Sequence, residues 1–169
     1  MRGVSSEHSE TMVRAGEFAP DFDLPVLVGG VKQRFHLKEQ LELRNIVLAF
    51  YPLNWEAVSA RQLVEYQVER LRFVASNTEV VGISVDSIMN TTEWEREIGP
   101  FDYPLCSDFW PHGEVSRAYG VFREQGPYAG ASERAICVVE RSGKILLSKV
   151  YDLQELPPIA ETLEALRGL

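Results

Sequence analysis

The sequence predicts a single α/β domain built on a mixed β-sheet, and three patterns support this. Ile46 to Tyr51 form a continuous apolar run that is too short for a helix and ends at Pro52, as expected for a strand covered on both faces of a sheet. Apolar residues between 60 and 75 then recur at three- and four-residue spacing, which predicts an amphipathic helix. A second apolar run at 79–85 completes a strand, helix, strand unit, whose crossover requires parallel pairing.

The remaining elements extend this unit with antiparallel strands and further helices. We expect the long helix to bury its apolar residues against the sheet, namely Ala60, Leu63, Val64, Val68, Leu71, Val74 and Ala75. The later elements are a helix near 90–98, a short strand at 103–106, a helix near 114–119, strands at 134–140 and 144–151 joined by Ser142-Gly143, and a closing helix over 156–166. A parallel βαβ unit that continues into an antiparallel hairpin and a last helix has the plan of a thioredoxin-like fold, with a mixed central sheet and flanking helices.

Length and composition limit the classes of protein and partner. The chain of 169 residues and 19.1 kDa fits one domain, which we place at 16–169 behind a flexible tail at 1–15. We expect no signal peptide and no membrane anchor, because the apolar runs fall far short of the roughly 20 residues that cross a bilayer. A net charge of −8 disfavours nucleic acid and anionic membranes as partners. Two cysteines without a C-x-x-C pair suit a reducing cytoplasm, and we predict no metal site and no cofactor.

Several sequence blocks carry a family resemblance that covers nearly the whole chain. They are Gly16 to Leu24, Val47 to Pro52, Val81 to Ser87, Trp94, Tyr103 to Leu105 with Ser107-Asp108, Ala118 to Val121, and Arg134. In these blocks the sequence resembles the peroxiredoxins, the alkyl hydroperoxide reductase and thiol-specific antioxidant family. The stretch from Ser107 to Phe122 is similar to the one-cysteine subgroup represented by alkyl hydroperoxide reductase E. The resemblance implies a peroxiredoxin variant of the thioredoxin fold.

The resemblance also implies where the family's reaction would take place. In that family the loop after the central strand reads proline, three residues, threonine, two residues and the peroxidatic cysteine. Here Pro52 matches, but Glu56 stands at the threonine position and Ser59 at the cysteine position. The family activity is thiol-dependent reduction of hydroperoxides, with Pro52 shielding the site, Arg134 as the charge partner, and a thiol as the reductant. Family members commonly form homodimers, and many carry glutamate where this chain has Gln62.

Two explanations for Ser59 stay open on the sequence. Serine has no counterpart of the sulfenic acid that peroxide reduction requires, so we predict a peroxidase-deficient member that binds a small polar ligand or has a regulatory role. The alternative is an active one-cysteine peroxiredoxin whose cysteine has been replaced artificially by serine. Glu56 favours natural divergence, because an engineered serine would normally leave the threonine position unchanged.

Ser59 also has a structural interpretation, and it is the one we favour. Ser59 to Gln62 fits a capping box at the start of the long helix, with Val58 and Leu63 as a hydrophobic staple. A Ser59 nucleophile with Glu56 as its base is disfavoured, because no histidine is adjacent in sequence.

Buried positive charge requires compensation, which gives a hypothesis for Arg134. Because Arg134 would face no thiolate in this chain, we expect it to form an ion pair with Glu56.

The other candidate residues receive structural interpretations. Cys137 lies three residues after Arg134 on a predicted strand, so its side chain should point to the opposite face of the sheet. Cys106 should also be buried, where apolar surroundings raise the pKa of a thiol and make it inert. His112, like His36, fits a surface or capping role better than a metal site. Phe109-Trp110 fits either local packing or a dimer interface.

Overall fold

The computed structural model describes residues 11–168, which contain one seven-stranded sheet and six helices. The strands are β1 Asp23–Val28, β2 Val31–His36, β3 Asn45–Phe50, β4 Thr78–Ser84, β5 Leu105–Ser107, β6 Arg134–Val139 and β7 Ile145–Tyr151. The helices are α1 Leu37–Leu41, α2 Ala57–Val68, α3 Arg70–Val74, α4 Ile88–Ile98, α5 Glu114–Ala118 and α6 Ile159–Ala165. None of these helices has the length and apolar character needed to span a membrane.

The sheet has the mixed topology that the sequence predicts. The strand order is β2-β1-β5-β4-β3-β6-β7, in which β3, β4 and β5 are parallel and every other neighbouring pair is antiparallel. All six residues of β3 are buried, which confirms a central strand covered on both faces. The βαβ unit and the β6–β7 hairpin are therefore confirmed.

Two apolar clusters lie on opposite faces of the sheet. Leu48 of β3 belongs to the first cluster, together with residues from α1 and α5. Val47 of β3 belongs to the second cluster, together with residues from α2, α3, α4 and α6. The start of β6 and the start of α2 meet on the second face, which is where the candidate site forms.

The predicted long helix differs from the structure in its continuity and in its phase. The chain forms two helices, α2 and α3, which meet at Glu69. The buried residues of the pair are Ser59, Gln62, Leu63, Tyr66 and Phe73, whereas Val64, Val68, Leu71 and Val74 are exposed. Apolar periodicity predicted the wrong buried face because two positions of that face, Ser59 and Gln62, carry polar side chains. Both side chains accept hydrogen bonds from Arg134, as described for the candidate site.

The β1–β2 hairpin is absent from the sequence prediction. Gly29 and Gly30 both have positive φ and form its turn, and β1 joins the hairpin to the sheet through β5. The first four residues of β2 are exposed, so this edge strand lacks the apolar alternation that would have indicated it.

Part of the predicted N-terminal tail is packed. Residues 1–10 lie outside the described residues. Met12 is buried in the first apolar cluster, and the Val13 N–H donates to the Tyr119 carbonyl at 3.2 Å. Gly120 has φ +74, and a Cβ there would lie 2.0 Å from the Thr11 carbonyl oxygen. Residues 11–13 therefore pack against the domain, whereas the sequence placed them in the tail.

This close approach predicts the effect of Gly120→Ala. The added Cβ would clash with the backbone of residue 11, and the alanine would have to adopt the left-handed backbone conformation of Gly120. We therefore expect the free energy of unfolding to fall by about 3 kcal/mol. Gly30→Ala is the matched control, since Gly30 has φ +79 with no atom within 4 Å of the added Cβ, and we expect a loss of about 1 kcal/mol. Urea denaturation measures both, and equal losses would show that residue 11 does not pack at Gly120.

Candidate functional site

Helix α2 begins at a carboxylate cap. Glu56 is the N-cap residue with extended backbone, and its side chain accepts hydrogen bonds from the N–H groups of Val58 at 3.1 Å and Ser59 at 2.7 Å. A carboxylate at this end of a helix is favoured by the helix dipole as well as by the hydrogen bonds. The predicted capping box is therefore wrong: Ser59 lies inside the first turn, and the cap is three residues earlier.

Arg134 is the centre of the site. It is the first residue of β6, and its side chain is 0% exposed. A guanidinium has five N–H donors and no acceptor, so each donor buried without a partner would cost free energy.

Five hydrogen bonds match the five donors of Arg134. Its Nε donates to the Leu153 carbonyl at 3.0 Å, and Nη2 donates to the same carbonyl at 2.7 Å and to the Glu56 carboxylate at 3.0 Å. Its Nη1 donates to Ser59 Oγ at 3.1 Å and to Gln62 Oε1 at 2.8 Å. The structure thus brings Glu56, Ser59 and Arg134 together, and the predicted ion pair between Glu56 and Arg134 is present. No donor of the guanidinium is left for an added ligand.

Ser59 is held between opposite charges. Its hydroxyl oxygen accepts from Arg134, its backbone N–H donates to the Glu56 carboxylate at 2.7 Å, and the residue is 0% exposed. Partial burial opposes ionisation of Glu56, but hydrogen bonds from Ser59, Val58 and Arg134 outweigh it and hold the pKa of this carboxyl below its ordinary value. A carboxylate with a lowered pKa is a weak base, so it cannot activate a serine hydroxyl effectively.

The two described histidines lie in other parts of the fold. His36 bonds to the Asp21 carboxylate at 2.7 Å, and His112 bonds to the Gly130 carbonyl at 2.6 Å. Within residues 11–168, no cluster of three or more histidine, cysteine, aspartate or glutamate residues is arranged to hold a metal ion.

Pro52 and the loop that follows it connect β3 to the cap of α2. Pro52 is buried, and the next residues are fixed by side-chain hydrogen bonds. Asn54, which the sequence did not single out, accepts from the Tyr51 hydroxyl at 2.8 Å and donates to Thr91 Oγ1 at 2.9 Å. Its backbone N–H donates to Asp86 at 2.8 Å. An isolated asparagine after a proline has no sequence signal that distinguishes it from an ordinary loop residue.

Trp55 occupies a rare conformation beside the cap. Its φ is +67, which is uncommon for a bulky residue, and its indole N–H donates to Asn90 Oδ1 at 2.9 Å. Its ring lies 6.4 Å from that of Trp94, and half of the residue is exposed. The loop therefore presents one aromatic surface next to Glu56.

Both cysteines lie away from this site. Cys106 and Cys137 belong to the apolar cluster on the opposite face of the sheet from the Glu56–Arg134 pair. Burial raises the pKa of the Cys137 thiol to about 12, and burial together with the nearby Asp108 carboxylate raises that of Cys106 well above its ordinary value. The prediction that both are buried core thiols is confirmed, and neither is placed to replace a nucleophile at residue 59.

The aromatic pair Phe109-Trp110 lies at the surface. Trp110 is 80% exposed and Phe109 is 50% exposed. Local packing therefore does not account for Trp110, and the dimer interface stays a prediction.

Comparison with known proteins gives a matching protein family and several similar relatives. The AhpC/TSA family model matches residues 15–148. Alkyl hydroperoxide reductase E of Mycobacterium tuberculosis is 35% identical over 139 residues, which are 82% of this chain and 86% of that protein. A chloroplastic 2-cysteine peroxiredoxin of Chattonella marina is 29% identical over 163 residues, which are 93% of this chain and 80% of that protein.

Solved structures agree on the fold. The reduced 2-Cys peroxiredoxin of Plasmodium vivax superposes with a TM-score of 0.83 at 23% identity, over 91% of this chain and 80% of that one. Mycobacterium tuberculosis AhpC gives a TM-score of 0.80 at 18% identity, over 92% of this chain and 96% of that one. At these identities the likeness shows the fold, which is thioredoxin-like.

The Glu56 network predicts a pH-dependent contribution to stability. At neutral pH, Glu56→Gln removes the charge that compensates Arg134, and we expect the free energy of unfolding to fall by about 2 kcal/mol. Because the pKa of Glu56 is lower in the folded state, its stabilisation is present above its ordinary value of 4.5 and is lost as the pH falls through the folded pKa. The difference between the two proteins should therefore shrink in acid.

Urea denaturation at neutral pH and at several pH values below 4.5 measures that difference. Glu97→Gln, a change at an exposed residue near the end of α4, is the control and should give a small difference at every pH. A Glu56→Gln effect that does not depend on pH would contradict the ionised pair.

Proposed function

Because the chain belongs to the AhpC/TSA family of peroxiredoxins, we propose that it is a member without thiol peroxidase activity, whose pocket serves binding or regulation. The observation that carries this proposal is the Ser59 hydroxyl, which lies in the first turn of α2 between Glu56 and Arg134 where the family pattern has the peroxidatic cysteine.

The chemistry of the family reaction requires sulfur at that position. A thiolate attacks one peroxide oxygen, so that an S–O bond forms, the O–O bond breaks and an alcohol or water leaves. The peroxide is reduced and the sulfur is oxidised to a sulfenic acid. A serine oxygen has no equivalent oxidised state that a thiol could reduce. The two buried cysteines lie on the other face of the sheet, so they do not substitute for it.

Glu56 adds a second obstacle to peroxide chemistry. A reactive thiolate depends on nearby positive charge and on a helix N-terminus. Here the carboxylate of Glu56 already accepts from two N–H groups of that N-terminus and from Arg134. We propose that Glu56 occupies, as part of the chain, the position in which an anionic reactant would otherwise be stabilised.

The same carboxylate defines the class of ligand that the pocket would accept. The side chain of Glu56 is 11% exposed, and its Oε1 accepts one hydrogen bond although a carboxylate oxygen can accept two. We propose a small polar ligand that donates a hydrogen bond, such as a hydroxyl, hydroperoxide or ammonium group, with Pro52 and Trp55 beside it. We also propose a cytoplasmic homodimer, from the buried thiols and the exposed Phe109-Trp110 pair.

The alternative is an active one-cysteine peroxiredoxin, reduced by a thiol, in which serine replaces the natural cysteine artificially. The Glu56 contacts count against it, because a single Cys-to-Ser change would not supply a carboxylate that caps α2 and pairs with Arg134. The codon for residue 59 in the source gene separates the two explanations directly.

Stopped-flow measurement of hydrogen peroxide consumption tests the proposal on the full chain. We expect no consumption above buffer by the unmodified protein, and intact mass without a sulfenic acid adduct. Ser59→Cys alone should react slowly, because Glu56 raises the thiol pKa and holds Arg134. The double variant Glu56→Thr, Ser59→Cys should react about tenfold faster or more, since a pKa lower by one unit gives tenfold more thiolate.

Glu56→Thr alone is the matched control and should stay inactive. Peroxide turnover by the unmodified chain, traced to Cys106 or Cys137 by mass, would refute the proposal. If Ser59→Cys reacts as fast as the double variant, Glu56 is no obstacle and the artificial serine gains support. If the double variant is also inactive, the obstructing role of Glu56 is wrong.

A further inference from the structure

Helices α2 and α3 carry an apolar stripe on the side that faces solvent. Val68 is 74% exposed and Leu71 is 77% exposed, while Val64 and Val74 are 40% and 45% exposed. At 100° per residue, Val64, Val68 and Leu71 fall within about 60° of one another on the face opposite to Tyr66 and Phe73, which pack on the sheet. Val74 lies at the edge of this stripe, on the side of Leu63. Grouped apolar side chains of this kind mark interaction surfaces more often than single exposed ones do.

We propose that this stripe is an interface with a second copy of the same chain, in which the α2–α3 pairs of the two copies lie antiparallel about a two-fold axis close to Glu69. In an isologous contact, a residue i meets residue j of the other copy and j meets i. An axis at Glu69 puts Val68 opposite Leu71 of the second copy, and Val64 opposite Val74. The stripe is therefore complementary to itself.

Charge complementarity is what selects a second copy as the occupant. Arg61, Glu65 and Arg72 fall on one flank of the stripe by helical spacing. The same axis brings Glu65 beside Arg72 of the second copy, and the contact occurs twice. Arg72 bonds to Glu69, the residue at the α2–α3 junction, at 3.1 Å, and its side chain is 59% exposed, so it remains accessible to a further carboxylate.

This surface is separate from the Ser59 pocket and from the exposed Phe109-Trp110 pair. The stripe lies on the outer side of α2, whereas Ser59 and Gln62 lie on its inner side. The proposal therefore does not depend on what the pocket binds. The test distinguishes the aliphatic stripe on α2 and α3 from the aromatic Phe109-Trp110 pair.

Sedimentation equilibrium of the full chain at fixed ionic strength tests the interface. We expect reversible self-association, with a dissociation constant that Leu71→Lys raises about tenfold or more. Val31→Lys, at an exposed valine on edge strand β2, is the matched control and should leave the constant unchanged. Thermal melts of each variant confirm that the change acts on association and not on folding.

A charge-reversal cycle tests the proposed register. Glu65→Arg and Arg72→Glu should each raise the dissociation constant several-fold, by about threefold to tenfold, because each places like charges together twice. The double variant should return to within about twofold of the parent protein. The two single changes shift the net charge of −8 in opposite directions, so an effect of overall charge alone would move the constant in opposite directions.

Each remaining outcome decides the proposal. A protein that is monomeric at all concentrations overturns it, as does association that Leu71→Lys leaves intact while Trp110→Ala or Val31→Lys removes it. Loss of one association step with Leu71→Lys and of another with Trp110→Ala supports it as one of two interfaces. A charge cycle in which the double variant is weaker than both single variants overturns the antiparallel register.

Discussion

A fully buried guanidinium is the constraint on which this site depends. Taking Arg134 out of water is costly, and the cost is offset only if its charge and all five donors find partners. Three of the acceptors come from the N-cap and the first turns of α2, namely Glu56, Ser59 and Gln62, and the Leu153 carbonyl supplies the rest. The position of α2 over the sheet is therefore set by polar contacts to β6 as well as by apolar packing.

The three acceptors on α2 act as one unit. The family pattern has cysteine at residue 59 and often glutamate at residue 62, whereas this chain has serine and glutamine there and a carboxylate at residue 56. A serine alone would leave Arg134 facing a neutral hydroxyl. With Glu56 in the cap position, the negative charge is restored at 3.0 Å, and Gln62 contributes a neutral acceptor at 2.8 Å. The differences in this loop are thus consistent with a single requirement, which is to keep the buried arginine paired when residue 59 is a serine.

The sequence predicted the elements whose signal is carried by apolar runs and spacing. β3 is visible because all of its residues are buried, and the Glu56–Arg134 pair follows from charge compensation alone. The N-cap was misplaced because Ser59 matches the capping pattern equally well in one dimension, and only the backbone shows that the helix begins earlier. The edge strand β2 was missed because most of its residues are exposed, so its sequence lacks the alternation of apolar and polar residues that indicates a strand.

The polar inner face of α2 explains the wrong phase predicted for the α2–α3 helix, but it does not explain the exposed apolar stripe. A helix that packs on a sheet usually has apolar residues on the face that contacts the sheet. In α2, two inner positions are Ser59 and Gln62, because Arg134 requires acceptors there. The requirement for acceptors explains the polar interior of the helix but gives no reason for Val68 and Leu71 to be apolar on the outside. Exposed apolar side chains that are grouped in this way are typical of an interaction surface, and this grouping is the observation behind the proposed contact with a second copy.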